Sequence, residues 1–155
     1  MAKVSAGILL HRRGEVLLVH PGGPFWAKKD LGVWSIPKGE LEEGEDDTRS
    51  RALLEFAEET GTDLGDPPTR DLGEVKLKSG KRVIAFAVEG DLDADAIASN
   101  AFETEWPPRS GRRQSFPEVD RAAWFGLDEA RERINAAQAA FLDRLQATSS
   151  ETSAP

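Results

Sequence analysis

Two short apolar runs open the chain, Val4–His11 and Glu15–His20, separated by Arg12, Arg13 and Gly14. Their length and the turn residues between them predict a β-hairpin. Residues 21–33, PGGPFWAKKDLGV, break the pattern with Gly, Pro and lysines and read as a loop. Trp34–Ile36 predicts a short strand entering the turn-rich PKGELEEGE segment. From Asp46 to Thr60 the apolar spacing becomes helical, with Asp46 or Asp47 as N-cap and Gly61 as the stop. Asp71–Leu77 and Arg82–Glu89 flank Lys78-Ser79-Gly80-Lys81 and predict a second hairpin. Residues 90–118, acidic and then rich in Pro and Arg, read as a long loop holding one short strand. A strand at Ala122–Phe125 and helices at Asp128–Ile134 and Ala136–Ala147 complete the pattern. The fold class this implies is α/β: a mixed sheet covered by helices. It is expected to form one domain over 1–147, with a disordered tail, TSSETSAP, at 148–155.

Composition narrows the chemistry. At 155 residues one hydrophobic core is the natural expectation, and 39% hydrophobic with 31% charged residues is ordinary for a globular domain. The absence of cysteine excludes disulfides, a thiol nucleophile and thiolate metal sites. A net charge of −8 speaks against a protein that coats nucleic acid. The apolar N-terminal run lacks a signal-peptide cleavage pattern, and no stretch reaches the roughly 18 apolar residues of a membrane span. No membrane and no nucleic-acid partner is therefore expected, and a cytoplasmic location fits. A small phosphorylated ligand stays compatible, because one bound cation reverses the sign of a single cleft.

The densest candidate chemistry lies on the helix. Glu55, Glu58 and Glu59 stand at i, i+3 and i+4, so their carboxylates share a face, with Leu53, Phe56, Ala57 and Thr60 opposite. Such a trio alone is most simply a solvated acidic face. The segment in front changes that reading. Gly39-x4-Gly44 has the outline of a phosphate-binding loop, but Glu45 stands where that motif needs Lys. The turn is built to meet a cation, and oxygen-only ligands suit hard divalent ions.

The stretch Gly39–Thr62, GELEEGEDDTRSRALLEFAEETGT, is similar to the Nudix box, G-x5-E-x7-R-E-U-x-E-E-x-G-U, in which U is a bulky apolar residue. Gly39 and Glu45 match its first spacing, and Glu55, Phe56, Glu58, Glu59 and Gly61 its second half. The resemblance implies a Nudix-like α/β/α sandwich and a hydrolase of phosphoanhydride bonds in nucleoside diphosphate derivatives. It further implies Mg²⁺, or Mn²⁺ in its place, held by Glu55, Glu58, Glu59 and the carbonyl of Lys38. The stretch departs from the box in three ways: one extra residue between Glu45 and Glu55, Leu54 in the box-arginine position, and Thr62 in place of the last apolar residue. Arg51, one turn before Glu55, is a candidate substitute for the lost arginine.

Other residues carry weaker signals. Glu118 is a candidate general base or further ligand, alongside Glu55 and Glu58 as catalytic carboxylates. Arg109, Arg112 and Arg113 suit a phosphate clamp, since guanidinium matches phosphate oxygens in pairs. Trp106 and Trp26 lie in loops where an indole can stack on a base, whereas Trp34 and Trp124 read as core. His11 and His20, with no accompanying protease or triad motif, read as structural. The PKG of WSIPKGE is similar to a variant found in hydrolases of dinucleoside polyphosphates. A Nudix fold that binds a nucleotide without cleaving it is the competing reading, with Leu54 as its support.

Overall fold

The computed structural model describes residues 3–153, with side chains described through Ala147. β1 (Val4–Arg12) and β2 (Glu15–Pro21) form the expected hairpin, in register at His11 and Val16. Its two turn residues, Arg13 and Gly14, have φ of 39° and 80°, the paired positive angles whose twist matches that of the strands they join. β3 (Lys38–Glu40) follows, then α1 (Thr48–Thr60), β4 (Arg70–Lys76) and β5 (Arg82–Glu89). β6 (Ala101–Glu105) and β7 (Arg113–Pro117) make a separate two-stranded hairpin. β8 (Val119–Gly126), α2 (Leu127–Arg133) and α3 (Ala139–Ser153) end the fold.

The main sheet runs β4-β5-β1-β2-β8, with β3 paired to the first half of β1. β1 and β5 are parallel and the other pairs antiparallel, so the sheet is mixed, as expected. Alternation along β1 and β2 feeds two cores. Ala6, Ile8, Leu10, Leu17 and Val19 pack with Ala52 and Phe56 of α1 on one face. Leu9, Val16 and Leu18 pack with Ala130 of α2 and with Phe141, Leu142 and Leu145 of α3 on the other. Strands buried on both faces read as near-continuous apolar runs, which is why β1 shows so clearly in the sequence. The result is an α/β/α sandwich.

Four local expectations are corrected. The strand expected at Trp34–Ile36 is two isolated bridges, Val19 to Ser35 and Trp34 to Ile134, and the regular pairing falls at Lys38–Glu40 instead. Pro37 sits tight against β1: its carbonyl accepts from the Ile8 amide at 3.1 Å, and a Cβ on Gly7 would lie 2.5 Å from that same oxygen. The helix begins at Thr48 rather than Asp46, because the Asp47 side chain accepts from the Ser50 amide at 3.0 Å and so caps it. Its buried stripe is Ala52, Phe56 and Thr60, with Leu53 and Ala57 only half-buried. The long loop expected over 90–118 contains the β6–β7 hairpin. In the tail, backbone through Ser153 continues α3 beyond Ala147, and residues 154–155 lie outside the described residues.

One buried side chain fixes the approach to the box. Gln138, 1% exposed, accepts from the Ile36 amide at 3.1 Å, and its Nε2 donates to the Ser35 hydroxyl at 3.1 Å. Gln138→Leu leaves that amide buried without a partner, a loss of about 1–3 kcal/mol. Urea unfolding should show this as a lower midpoint with an unchanged slope.

Candidate active site

The glutamates of α1 reach toward the β1–β3 edge of the sheet, and glycine makes room for them. A Cβ on Gly39 would lie 2.0 Å from the carboxyl carbon of Glu55, so any larger residue displaces that carboxylate. Beside it, the Lys38 amide donates to Glu59 Oε1 at 3.3 Å. Burial pushes the Glu59 carboxyl up to about 8, although the Lys38 charge and amide oppose the rise and Glu118 and Glu55 add to it. Glu55 is raised as well, by burial first, with Arg51 opposing and with Glu58 and Glu118 repelling. Glu118 is raised by burial and by Glu58. Burial pulls the Lys38 ammonium down from its ordinary value, against the nearby Glu59.

Four carboxylates thus share one electrostatic neighbourhood, three from the helix and one from the β7–β8 junction. Two of them, Glu59 and Glu118, line a small cleft of about 140 Å³ together with Pro21, Ser35 and Lys38. At the two largest hollows, which lie elsewhere, arginines bond to the protein itself. At one, Arg12 pairs with Glu15 and Asp91; at the other, Arg144 donates to the carbonyls of Leu72 and Glu74.

The donor set is all oxygen, as a hard divalent cation requires. Among the described residues no three acidic or imidazole side chains are gathered tightly enough to enclose an ion as they stand. Like charges stand apart, and two of the carboxylates are occupied, Glu55 by Arg51 and Glu59 by the Lys38 amide. The chemistry of the set fits a divalent ion; gripping it takes side-chain rotation.

Arg51, the candidate substitute for the missing arginine, bridges the turn and the helix. Its Nε donates to Glu45 at 3.0 Å and its Nη1 to Glu55 at 3.0 Å, and the side chain is only 13% exposed. Glu45 in turn accepts from the Glu42 amide at 2.9 Å, which ties the turn to the helix; this bond and Arg51 hold its carboxyl below the usual range. Leu54, in the box-arginine position, is 47% exposed.

The remaining candidates are spread out. Arg112 and Arg113 are exposed at the far end of the β6–β7 hairpin, Arg113 opposite Glu105. The four strand steps from Arg113 to Pro117 amount to roughly 13 Å, so the structure does not bring the pair to the carboxylates. Trp106 and Trp26 line a second hollow next to the cleft, together with Phe25 and Phe102, which sequence reasoning missed. Trp34 is core, and Trp124 is half-buried on β8 with its indole donating to the Leu92 carbonyl at 3.1 Å. His20 is fully buried between the Asp120 carboxylate at 2.9 Å and the Lys29 carbonyl at 2.6 Å, a tether for the 21–33 loop.

The family model for the NUDIX domain matches residues 1–145. The chain belongs to the Nudix hydrolase family. Solved structures share its fold at low identity. An Ap4A hydrolase from C. elegans, solved as a binary complex, is 18% identical with a TM-score of 0.67, covering 95% of this chain and 98% of its own. A MutT protein from Methanosarcina mazei is 19% identical with a TM-score of 0.63, covering 96% and 95%. The NUDIX domain of Shewanella oneidensis NrtR, complexed with ADP ribose, is 16% identical with a TM-score of 0.63, covering 96% and 88%. Among the described residues no helix of this Nudix chain is long and apolar enough to cross a membrane.

Proposed function

We propose that this Nudix protein is a divalent-ion-dependent hydrolase that cleaves a phosphoanhydride bond in a nucleoside diphosphate joined to another group. The observation that carries the reading is the meeting of Glu59 and Glu118 at one cleft with Lys38, while Glu55 fills the gap at the neighbouring Gly39 and Glu58 stands within electrostatic reach of Glu55 and Glu118. Glu55, Glu58, Glu59 and the Lys38 carbonyl would hold the ion, Mg²⁺ or Mn²⁺, which when bound neutralises pyrophosphate oxygens and acidifies a water. Lys38, facing the same cleft, offers a further positive charge to the phosphates. A carboxylate, Glu118 or a helix glutamate, takes the proton of the attacking water. The water oxygen bonds to phosphorus, the bridging P–O bond breaks, and the leaving phosphate departs with the bridging oxygen.

Dinucleoside polyphosphates belong to the substrate class, and an elongated one running along β7 would approach Arg112 and Arg113. A nucleotide-binding protein without turnover is the second reading, resting on Leu54. The bonds of Arg51 to both Glu45 and Glu55 support the hydrolase reading over it. The test is a panel of nucleoside diphosphate sugars, nucleoside triphosphates and dinucleoside polyphosphates incubated with Mg²⁺ or with EDTA, its products separated by chromatography. Ion-dependent cleavage of at least one member is expected; nucleotide binding with no cleavage of any overturns the reading.

Calorimetric titration checks the ion itself. Mg²⁺ or Mn²⁺ should bind the wild type, and Glu59→Gln should weaken binding by tenfold or more, since an amide cannot give up a proton to become the carboxylate that the ion needs. Equal affinity in the two proteins removes Glu59 from the site.

A further inference from the structure

Among the described residues, His20 is the only ionisable side chain that is wholly buried, and no step of the proposed hydrolysis uses it. We propose that His20 is a positioning residue: its imidazole fastens a bulge in β8 that sets where Glu118 stands at the cleft. The part of Glu118 in turnover rests on the hydrolase reading; the fastening of the bulge does not.

The bulge shows in the register of β2 and β8. His20 pairs with Arg121 and Pro21 with Val119, so Asp120 is left over between them. A left-over residue of this kind bends its strand and re-aims a side chain, and here the Asp120 carboxylate reaches His20 Nδ1 at 2.9 Å. Strict alternation would put Val119 on the same face as Ala123 and Phe125, toward α2 and α3. The bulge turns it over, and Val119 packs with Ala122 and Phe56 on the α1 side. Closing the bulge would slide the preceding chain by one residue, roughly 3.4 Å, and carry Glu118 along the edge of the cleft that it lines.

The imidazole holds two segments at once. Its Nε2 lies 2.6 Å from the Lys29 carbonyl, which can only accept, so Nε2 is the donor. At Nδ1 a proton on either partner makes the second bond, to Asp120. Trp34 stands edge-on to the ring, with centroids 5.2 Å apart, and is itself pinned by its indole bond to Asp30 at 2.9 Å. Arg121 approaches Asp120 along the same strand, its Nε 3.9 Å from the carboxylate. The ring is thus fixed in orientation by the loop, the strand and the core together.

What the bulge positions is close by. The Gly22 amide donates to the Glu118 carbonyl at 2.8 Å, and a Cβ on Gly22 would lie 1.8 Å from the Pro117 carbonyl oxygen, so the chain at Glu118 lies hard against the start of the loop. His20 stands two residues before Gly22 and Asp120 two residues after Glu118, and their bond braces this seam. The helix glutamates are held by other means, Glu55 by Arg51 and Glu59 by the Lys38 amide. Loss of the brace should therefore misplace Glu118 alone. Asp120→Ala removes the brace, whereas Asp120→Asn keeps it, because an amide can itself donate to Nδ1.

Two readouts on the full-length protein test the proposal, one without substrate and one with it. Amide hydrogen exchange, read by NMR without ion or nucleotide, follows the Gly22 amide. It should exchange about tenfold faster in Asp120→Ala, the effect of losing one hydrogen bond's worth of local stability, and near the wild-type rate in Asp120→Asn. Amides of the β1–β5 pairing should stay unchanged in both. Turnover of the panel nucleotide with Mg²⁺ is the second readout. Asp120→Ala should lower kcat by about 10–100-fold with little change in KM, the cost of a reacting group displaced by around an ångström, and Asp120→Asn should recover most of it. Glu118→Gln should be slow, and adding Asp120→Ala to it should cost nothing further, since the brace acts through Glu118. The proposal is overturned by an unmoved Gly22 amide in Asp120→Ala, by Asp120→Asn losing as much as Asp120→Ala, by additive losses in the double variant, or by a silent Glu118→Gln. It is equally overturned if the β1–β5 amides quicken as much as Gly22, since Asp120 then holds the whole fold. The expected exchange pattern with no nucleotide cleaved would keep the brace and remove the enzyme; hydrolysis with an unmoved Gly22 amide would do the reverse.

Discussion

Glu55→Gln and Glu58→Gln should each lower turnover by about a thousandfold while the protein stays folded. Each substitution keeps the shape of the side chain and removes the charge that a divalent ion needs. A lost ligand is expected to cost on the order of 4 kcal/mol of transition-state stabilisation, at 1.36 kcal/mol per tenfold in rate. The fold should not suffer. Burial and the neighbouring carboxylates raise the Glu55 carboxyl, so its ionised form is disfavoured in the folded protein and an uncharged amide relieves that strain. Arg51 loses one partner but keeps Glu45 at 3.0 Å. Melting temperature and turnover measured on the same preparations decide the matter. Wild-type rates in both variants would make the acidic face a solvated one. Lost activity together with lost structure would show that the carboxylates hold the fold rather than the ion.

The second large effect concerns the arginine. Arg51→Ala should weaken divalent-ion binding and slow turnover by about 10–100-fold, the range expected when a residue that orients a ligand is removed. Arg51 bonds Glu45 through Nε and Glu55 through Nη1, so one planar group sets the position of both. Arg51→Lys should recover only part of the loss, because an ammonium lacks the rigid fork. Leu54→Arg should change little: that position is nearly half exposed, and a guanidinium there extends into solvent. Ion affinity and steady-state rates across the three variants separate the alternatives. A silent Arg51→Ala combined with a tenfold gain from Leu54→Arg would mean that the extra residue has left a degraded site.

That extra residue shows what the sequence could and could not convey. Helical spacing put Arg51 and Glu55 one turn apart, so their pairing was legible. The partnership with Glu45 depends on how the turn folds back on itself, and the helix start at Thr48, fixed by the Asp47 cap, decides that. The sandwich was legible because β1, β2 and β5 carry long apolar runs and α1 an amphipathic pattern. The β6–β7 hairpin was not. Its strands, AFETE and RQSFP, have only Phe102, Thr104 and Phe116 even half-buried, and one of these is polar, so little apolar patterning marks them. Trp26 and Trp106 were legible as candidates, but their meeting with Phe25 and Phe102 in one hollow was not: the two indoles stand 80 positions apart in sequence, and only the fold joins them.

The most direct measurement of the central claim is hydrolysis in ¹⁸O-water of whichever panel nucleotide the protein cleaves, with Mg²⁺ or EDTA present and the products weighed by mass spectrometry. Water attack on phosphorus at the carboxylate cleft predicts one ¹⁸O atom in a phosphate-bearing product, in the Mg²⁺ reaction and not with EDTA. Product without label in any phosphate group, or equal labelling in EDTA, would contradict it.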